Sequence, residues 1–206
     1  MYTLYYLQGA CSIATQVVLR ELDQAVNLID IKQLENFKEV NPIGAVPVLI
    51  DGNNTLREGG AIMLYLLDKH SSPMLPSEGI TRQKAIQDIM FANATMHPAY
   101  GRLFFIDANI SDEVSKNIAL KSAAKIIDDL WKVVESELAT KSFLGGNNPS
   151  AADIMLAVYS TWGDKYPVDI TFGEKTKAML DAVKKMPSFH KTIEAEQVES
   201  IKSVEG

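Results

Sequence analysis

Every stretch of this chain that reads as a β-strand lies before residue 59, and that asymmetry limits the fold more than any other feature of its 206 residues. Tyr2 to Leu7 is aromatic and aliphatic; "QGA" breaks the run, and "CSIATQVVLREL" then sets Ala14, Val17, Val18 and Leu22 at helical spacing. "AVNLIDI" reads as a second strand, "PVLID" as a third and "NTLRE" as a fourth. Gly52, Asn53 and Asn54 supply the short turn of an antiparallel hairpin between the last two. "GAIMLYLLDKH" closes the region as a helix.

The composition changes at "SSPMLPSEG", Ser71 to Gly79, where two prolines, three serines and a glycine interrupt every pattern. Beyond it, apolar residues recur at three- and four-residue intervals, from Ile86, Ile89 and Met90 through Ile127, Trp131, Val134 and Leu138. The expected fold class is α/β followed by all-α. A βαβ–ββα unit with a mixed four-stranded sheet occupies 1–70, 71–79 is a linker, and 80–206 forms a helical bundle.

Net charge and cysteine count narrow the function. At a net charge of −6, with no basic block, the chain is not built to bind nucleic acid, which needs clustered Lys and Arg. No apolar run reaches the roughly 18 residues of a membrane span, and "MYTLYYLQGA" lacks the basic flank of a signal peptide. A soluble, cytoplasmic protein without a membrane role is expected. The single cysteine, Cys11, cannot form an internal disulfide and suits a reducing compartment.

Three short stretches carry candidate chemistry. Cys11 sits where the first strand turns into a helix, as either a reactive thiol or small apolar packing. Ser12 follows it, as a hydroxyl donor or a helix cap. In "NPIGAVPVLID", Pro47 opens the third strand; a cis bond before it would turn the N–H and C=O of Val46 towards a cleft, ready to pair with an extended peptide, whereas a trans bond would only end a loop. In "LREGGAI", Glu58 precedes a helix whose first turn holds Gly59 and Gly60. There a carboxylate and an ammonium, the head of an α-amino acid, can both be met, unless Glu58 only offsets the helix dipole.

Taken in order, these elements resemble the thioredoxin-like half of the glutathione transferases. "YYLQGACS…VVLRE", "NPIGAVPVL", "REGGAIMLYL", "MHPAY" and "FLGGNNPSAADI" look most like the bacterial beta-class branch. The resemblance implies a cis Pro47, a Val46 backbone paired with the cysteinyl unit of glutathione, and a γ-glutamyl head held by Glu58 and Gly59. Cys11 faces the glutathione sulfur and can form a mixed disulfide with it, and His97 reaches towards the same thiol as donor or general base. Glutathione then serves as co-substrate, with no other cofactor and no metal, and the likeness implies a homodimer.

Met96, Tyr100, Phe104, Trp162 and Tyr166 are candidates for a hydrophobic pocket holding a small apolar electrophile, or else core packing. Pro98, just after His97, should kink that helix. Ser150 and Asp153 form a capping box at the start of "AADIMLAVY" and carry no chemistry. Two features depart from the beta-like pattern: only ten residues, Ile31 to Val40, separate "LID" from "NPIG", and Met90 stands where that pattern has asparagine. The first leaves the glycyl carboxylate to Lys32, Lys38 or Arg57, if any of them serves. A helix N-terminus contributes at most about 2 kcal/mol and would bring the Cys11 thiol near half-ionised. Conjugation of glutathione to apolar electrophiles is the leading function. Thiol–disulfide exchange through Cys11, or a non-catalytic carrier or regulator of the same fold, are the alternatives.

Overall fold

The computed structural model describes residues 1–205, with side chains described through Gln197; Gly206, the last residue of the expected bundle, lies outside the described residues. Four strands form one sheet in the order β2-β1-β3-β4: β1 (Tyr2–Tyr6), β2 (Val26–Asp30), β3 (Val48–Asp51) and β4 (Asn54–Arg57). β1 pairs in parallel with β2 and antiparallel with β3, and β3 pairs antiparallel with β4. The β1–β2 link therefore needs a crossover helix, α1 (Ser12–Glu21), whereas Gly52 and Asn53 suffice between β3 and β4, with Asn54 already in the strand. Gly52 has φ +57, a left-handed conformation that glycine adopts without a side-chain clash.

The alternation in "YTLYY" is read directly by the sheet. Tyr2, Leu4 and Tyr6 point into the core, where Leu4, Leu49, Leu19, Ile62 and Leu66 close against one another. The last two come from α2 (Gly59–Lys69), which follows β4. Residues 12–19 of α1 are all buried, including Ser12, Thr15 and Gln16, because α1 packs against both α2 and α8 (Pro187–Glu205).

The chain divides into two compact units, one of Met1–Gln83 with everything from Lys184 onward, the other of Lys84–Val183. The boundaries thus differ from 1–70, 71–79 and 80–206. The segment Ser71–Gly79 is built into the sheet-bearing unit: Leu75 is buried, the Ser72 N–H donates to the Leu67 carbonyl at 2.8 Å, and Arg82 pairs with Asp68 at 3.0 Å. α8 joins the same unit because Gln16 and Arg20 on α1 bond Glu196 and Thr192 on α8 at 2.7 and 3.0 Å.

The second unit holds the end of α3 (Gly79–Met90), then α4 (His97–Asn109), α5 (Glu113–Glu137), α6 (Ala151–Tyr159) and α7 (Glu174–Lys184). Between α3 and α4 the helix widens into a π-helical turn over Phe91–Met96. Pro98, at the first turn of α4, has no N–H to offer the Ala94 carbonyl, which accounts for the distortion expected there. α6 is buried at all nine positions and apolar apart from Asp153 in its first turn, so it forms the centre of the unit. Its start is the expected capping box: Asp153 accepts from the Ser150 N–H at 2.8 Å and the Ser150 hydroxyl at 2.6 Å, and Ser150 Oγ accepts from the Asp153 N–H at 3.3 Å. Asp153 also takes the Leu144 N–H at 2.9 Å, closing the preceding loop.

Asp153 is fully buried, and its loss leaves two buried N–H groups unpaired. Asp153→Ala is expected to cost about 3 kcal/mol, a fall in melting temperature of roughly 6–12 °C. Ser150→Ala, which removes one cap acceptor, should cost about 1 kcal/mol. Thermal melts followed by circular dichroism check both; an unchanged melting temperature for Asp153→Ala contradicts the assignment.

Candidate active site

In the sheet-bearing unit, β1 delivers Leu7 to a turn in which Gly9 takes φ +73, and Cys11 then stands as the N-cap residue of α1. Its side chain does not cap the helix; the Cys11 thiol donates to the Val46 carbonyl at 3.3 Å. Burial pushes this thiol up to about 11 from 9.0, against the smaller opposing effect of neighbouring backbone N–H groups. The expectation of a half-ionised thiol is therefore corrected. The sulfur's desolvation outweighs the field of the helix terminus, and Cys11 is a neutral S–H near neutral pH.

Ser12 lies inward, fully buried, with its hydroxyl donating to the Leu7 carbonyl at 3.3 Å and accepting the Leu7 N–H at 3.4 Å. It neither caps α1 nor presents a free hydroxyl. It ties the start of the helix to the end of β1.

The Val46–Pro47 bond is cis. Pro47 is buried and Val46 half-buried, and among the described residues no hydrogen bond reaches the Val46 N–H. Glu58 is exposed, and as N-cap of α2 it has φ +71 and ψ +114 with no side-chain cap. A non-glycine residue in that sparsely populated region is strained by roughly 1–3 kcal/mol, and such strain concentrates at ligand sites. Its carboxylate is thus not spent on its own helix. Gly59, the first residue of α2, is half-buried beside it.

The short segment after β2 forms no full helix, only two 3₁₀ turns, Ile31–Gln33 and Phe37–Glu39. Arg57 donates to the Val40 carbonyl at 2.9 Å, and Lys38 lies along the Gly44 turn, its Cε 3.7 Å from where a Cβ at Gly44 would stand. Lys32 is exposed on the first turn.

In the helical unit, His97 is half-buried, with its ring edge-on to Tyr159 and Trp162 at centroid distances of 5.3 and 5.2 Å. Burial lowers its pKa, so the imidazole is neutral near neutral pH. Met96, Tyr100 and Trp162 are closed to solvent, and Tyr100 Oη accepts the Trp131 indole N–H at 2.9 Å. These three form the core beneath the aromatic cluster. Only Phe104 and Tyr166, whose rings lie 6.0 Å apart, are partly open to a ligand. Among the described residues no group of His, Cys, Asp and Glu could hold a metal ion.

One residue near the Cys11 turn was not signalled by the sequence. Glu196 on α8, buried, accepts the Gly9 N–H at 2.9 Å and the Gln16 amide at 2.7 Å, and burial pushes its carboxyl up to about 7. It supports that turn from behind. A glutamate among "IEAEQ" gives no sign of burial until the helix it lies on has been placed against α1.

Comparison with known proteins gives the geometry a context. Residues 10–74 match the family model described as glutathione S-transferase, N-terminal domain. The chain is 29% identical over 174 residues to glutathione S-transferase GST-4.5 of Xanthomonas campestris, covering 82% of this chain and 85% of that protein. A sphingomonad glutathione S-transferase solved with glutathione is 28% identical with a TM-score of 0.82, covering 95% of this chain and 98% of the other. The beta-class enzyme of Sphingomonas chungbukensis also reaches 28% and 0.82, covering 94% and 98%.

Because Cys11 is the single cysteine, its titration can be read without interference from other thiols. Alkylation by iodoacetamide near neutral pH should run about a hundredfold slower than for an unperturbed thiol, and rise with pH through about 11. A rate that has already levelled off at neutral pH contradicts the neutral thiol.

Proposed function

Because the chain belongs to the glutathione transferase superfamily, we propose that it joins the sulfur of glutathione to small apolar electrophiles, with the tripeptide held by Val46, Pro47, Glu58 and Gly59. Glutathione is the co-substrate, and the reading calls for no metal and no other cofactor. The observation that carries it is the Cys11 thiol donating to the Val46 carbonyl beside the cis Val46–Pro47 bond.

In this reading the N–H and C=O of Val46 pair with the cysteinyl unit, Glu58 takes the ligand's ammonium, and the first turn of α2 takes its α-carboxylate. The Cys11 S–H then turns from the Val46 carbonyl to the ligand sulfur. A hydrogen bond to a charged acceptor contributes about 1.5–3 kcal/mol, which lowers the ligand thiol's pKa by roughly one to two units. The ligand thiol loses its proton to solvent, and the resulting thiolate attacks the electrophilic carbon; the new C–S bond forms as the leaving group departs with its bonding pair. His97, Phe104 and Tyr166 are assigned to this reaction as proposals, His97 as a neutral donor or base and the two rings as apolar contacts.

Thiol–disulfide exchange is less favoured. With the Cys11 pKa near 11, only on the order of one chain in ten thousand carries the attacking thiolate at neutral pH. A second copy of the chain is the proposed partner, supported by the exposed apolar side chains of Phe105 on α4 and Val114, Ile118 and Ile126 on α5. Among the described residues no helix is long and apolar enough to cross a membrane. We place the protein's action in the cytoplasm, where a lone thiol stays reduced, and in the detoxification of reactive apolar compounds.

Calorimetry with glutathione and a chromogenic conjugation assay test the proposal together. Saturable binding and turnover are expected, with Glu58→Gln weakening binding about tenfold and Cys11→Ala lowering kcat/KM by roughly ten- to a hundredfold. Absence of both binding and turnover rejects the enzyme and leaves the non-catalytic carrier.

A further inference from the structure

The helical unit contains a cavity of about 350 Å³ in which none of the residues assigned to conjugation takes part. It is lined by the end of α3, the π-helical turn and α5, and such turns are frequent at functional sites. Met90, Phe91, Ala94, Val134 and Leu144 make an apolar wall. The polar end is formed by Asp88 on α3 and Glu137 on α5, with Lys84 between them at 3.1 and 3.2 Å.

The charges at that end are unevenly satisfied. One ammonium serves two carboxylates at close range; Lys141 stands 3.9 Å from Glu137 and donates to the Leu144 carbonyl at 3.0 Å. Asp88 is more than nine-tenths buried, and among the described residues its one ion pair is with Lys84. A carboxylate offers about four acceptor positions, and the ion pair with Lys84 takes one of those on Asp88. Burial raises its pKa despite Lys84 and Lys141, so a further cation beside it would favour its ionised form. An anionic ligand would find Lys84 already engaged and two carboxylates facing it. A cation would add to the single ion pair that Asp88 makes among the described residues.

We propose that this cavity is a second ligand site, separate from the glutathione cradle, that takes a small organic cation: an ammonium group against Asp88 and an apolar or aromatic body against Phe91, Ala94 and Val134. The size falls within the usual range for small-molecule pockets, and the mix of apolar walls with a few converging polar groups is what such sites share. Phe91 adds a ring face that favours a cation nearby.

Titration of the full chain by calorimetry at neutral pH tests it, with phenethylammonium as probe and phenethyl alcohol as its uncharged counterpart. Expected is one saturable site per chain for the ammonium, with the alcohol and the Asp88→Asn variant each about tenfold weaker. Ala94→Phe, which fills the cavity from the helix side, should abolish binding. Circular dichroism shows whether each variant folds; if Asp88→Asn does not, the alcohol and Ala94→Phe still decide. Conjugation by both variants should match the unaltered chain, since neither residue belongs to the glutathione cradle. No saturable heat, equal affinity for alcohol and ammonium, or undiminished binding by Ala94→Phe overturns the proposal. None of these results depends on whether the chain conjugates glutathione.

Discussion

Pro47 has no N–H to give the sheet, so the ladder joining β1, β3 and β4 ends at Val48, opposite Tyr5 on one side and Arg57 on the other. The main chain of Val46 therefore runs past the end of the sheet without a strand partner. The antiparallel register of β1 and β3 brings the turn after Tyr6 to the same end, which is why the Cys11 thiol meets the Val46 carbonyl. Each further feature of the unit serves that meeting point. Ser12 fixes the helix to Leu7 and Glu196 holds the Gly9 amide, while Glu58, the N-cap of α2, makes no side-chain cap.

Two opposing effects set the character of Cys11. A helix terminus stabilises a thiolate by at most about 2 kcal/mol, and removing sulfur from water disfavours the same ion. Here the second effect wins, which disfavours residue 11 as a nucleophile; in the proposed reaction it serves instead as a hydrogen-bond donor to the ligand's own attacking sulfur. That division of labour fits a transferase better than a redox exchanger. An exchanger needs its own thiolate to attack, whereas a transferase needs a donor that stays protonated beside the sulfur it activates.

Much of this was legible in the chain because it rests on local rules. Alternation in "YTLYY", the two-residue hairpin at Gly52 and Asn53, the capping box at Ser150 and Asp153, and the disturbance ahead of Pro98 all follow from neighbours a few residues apart. The cis bond before Pro47 that the likeness implied was also legible, as was the shortened stretch between Ile31 and Val40. What escaped depends on distant packing. Pairing of Gln16 with Glu196 carries the last helix into the sheet-bearing unit, and nothing near Glu196 in the chain announces it. The burial of Met96, Tyr100 and Trp162, and the desolvation of Cys11, likewise arise from residues far off in sequence.

The main chain of Val46 is the part of the protein on which the binding account stands or falls. Amide hydrogen exchange measured with and without S-methylglutathione, which binds without reacting, reads it most directly. The Val46 N–H, with no partner among the described residues, should exchange freely in the unliganded protein and become protected at saturating ligand. If the ligand binds while Val46 exchanges as before, the tripeptide is held elsewhere and the account fails.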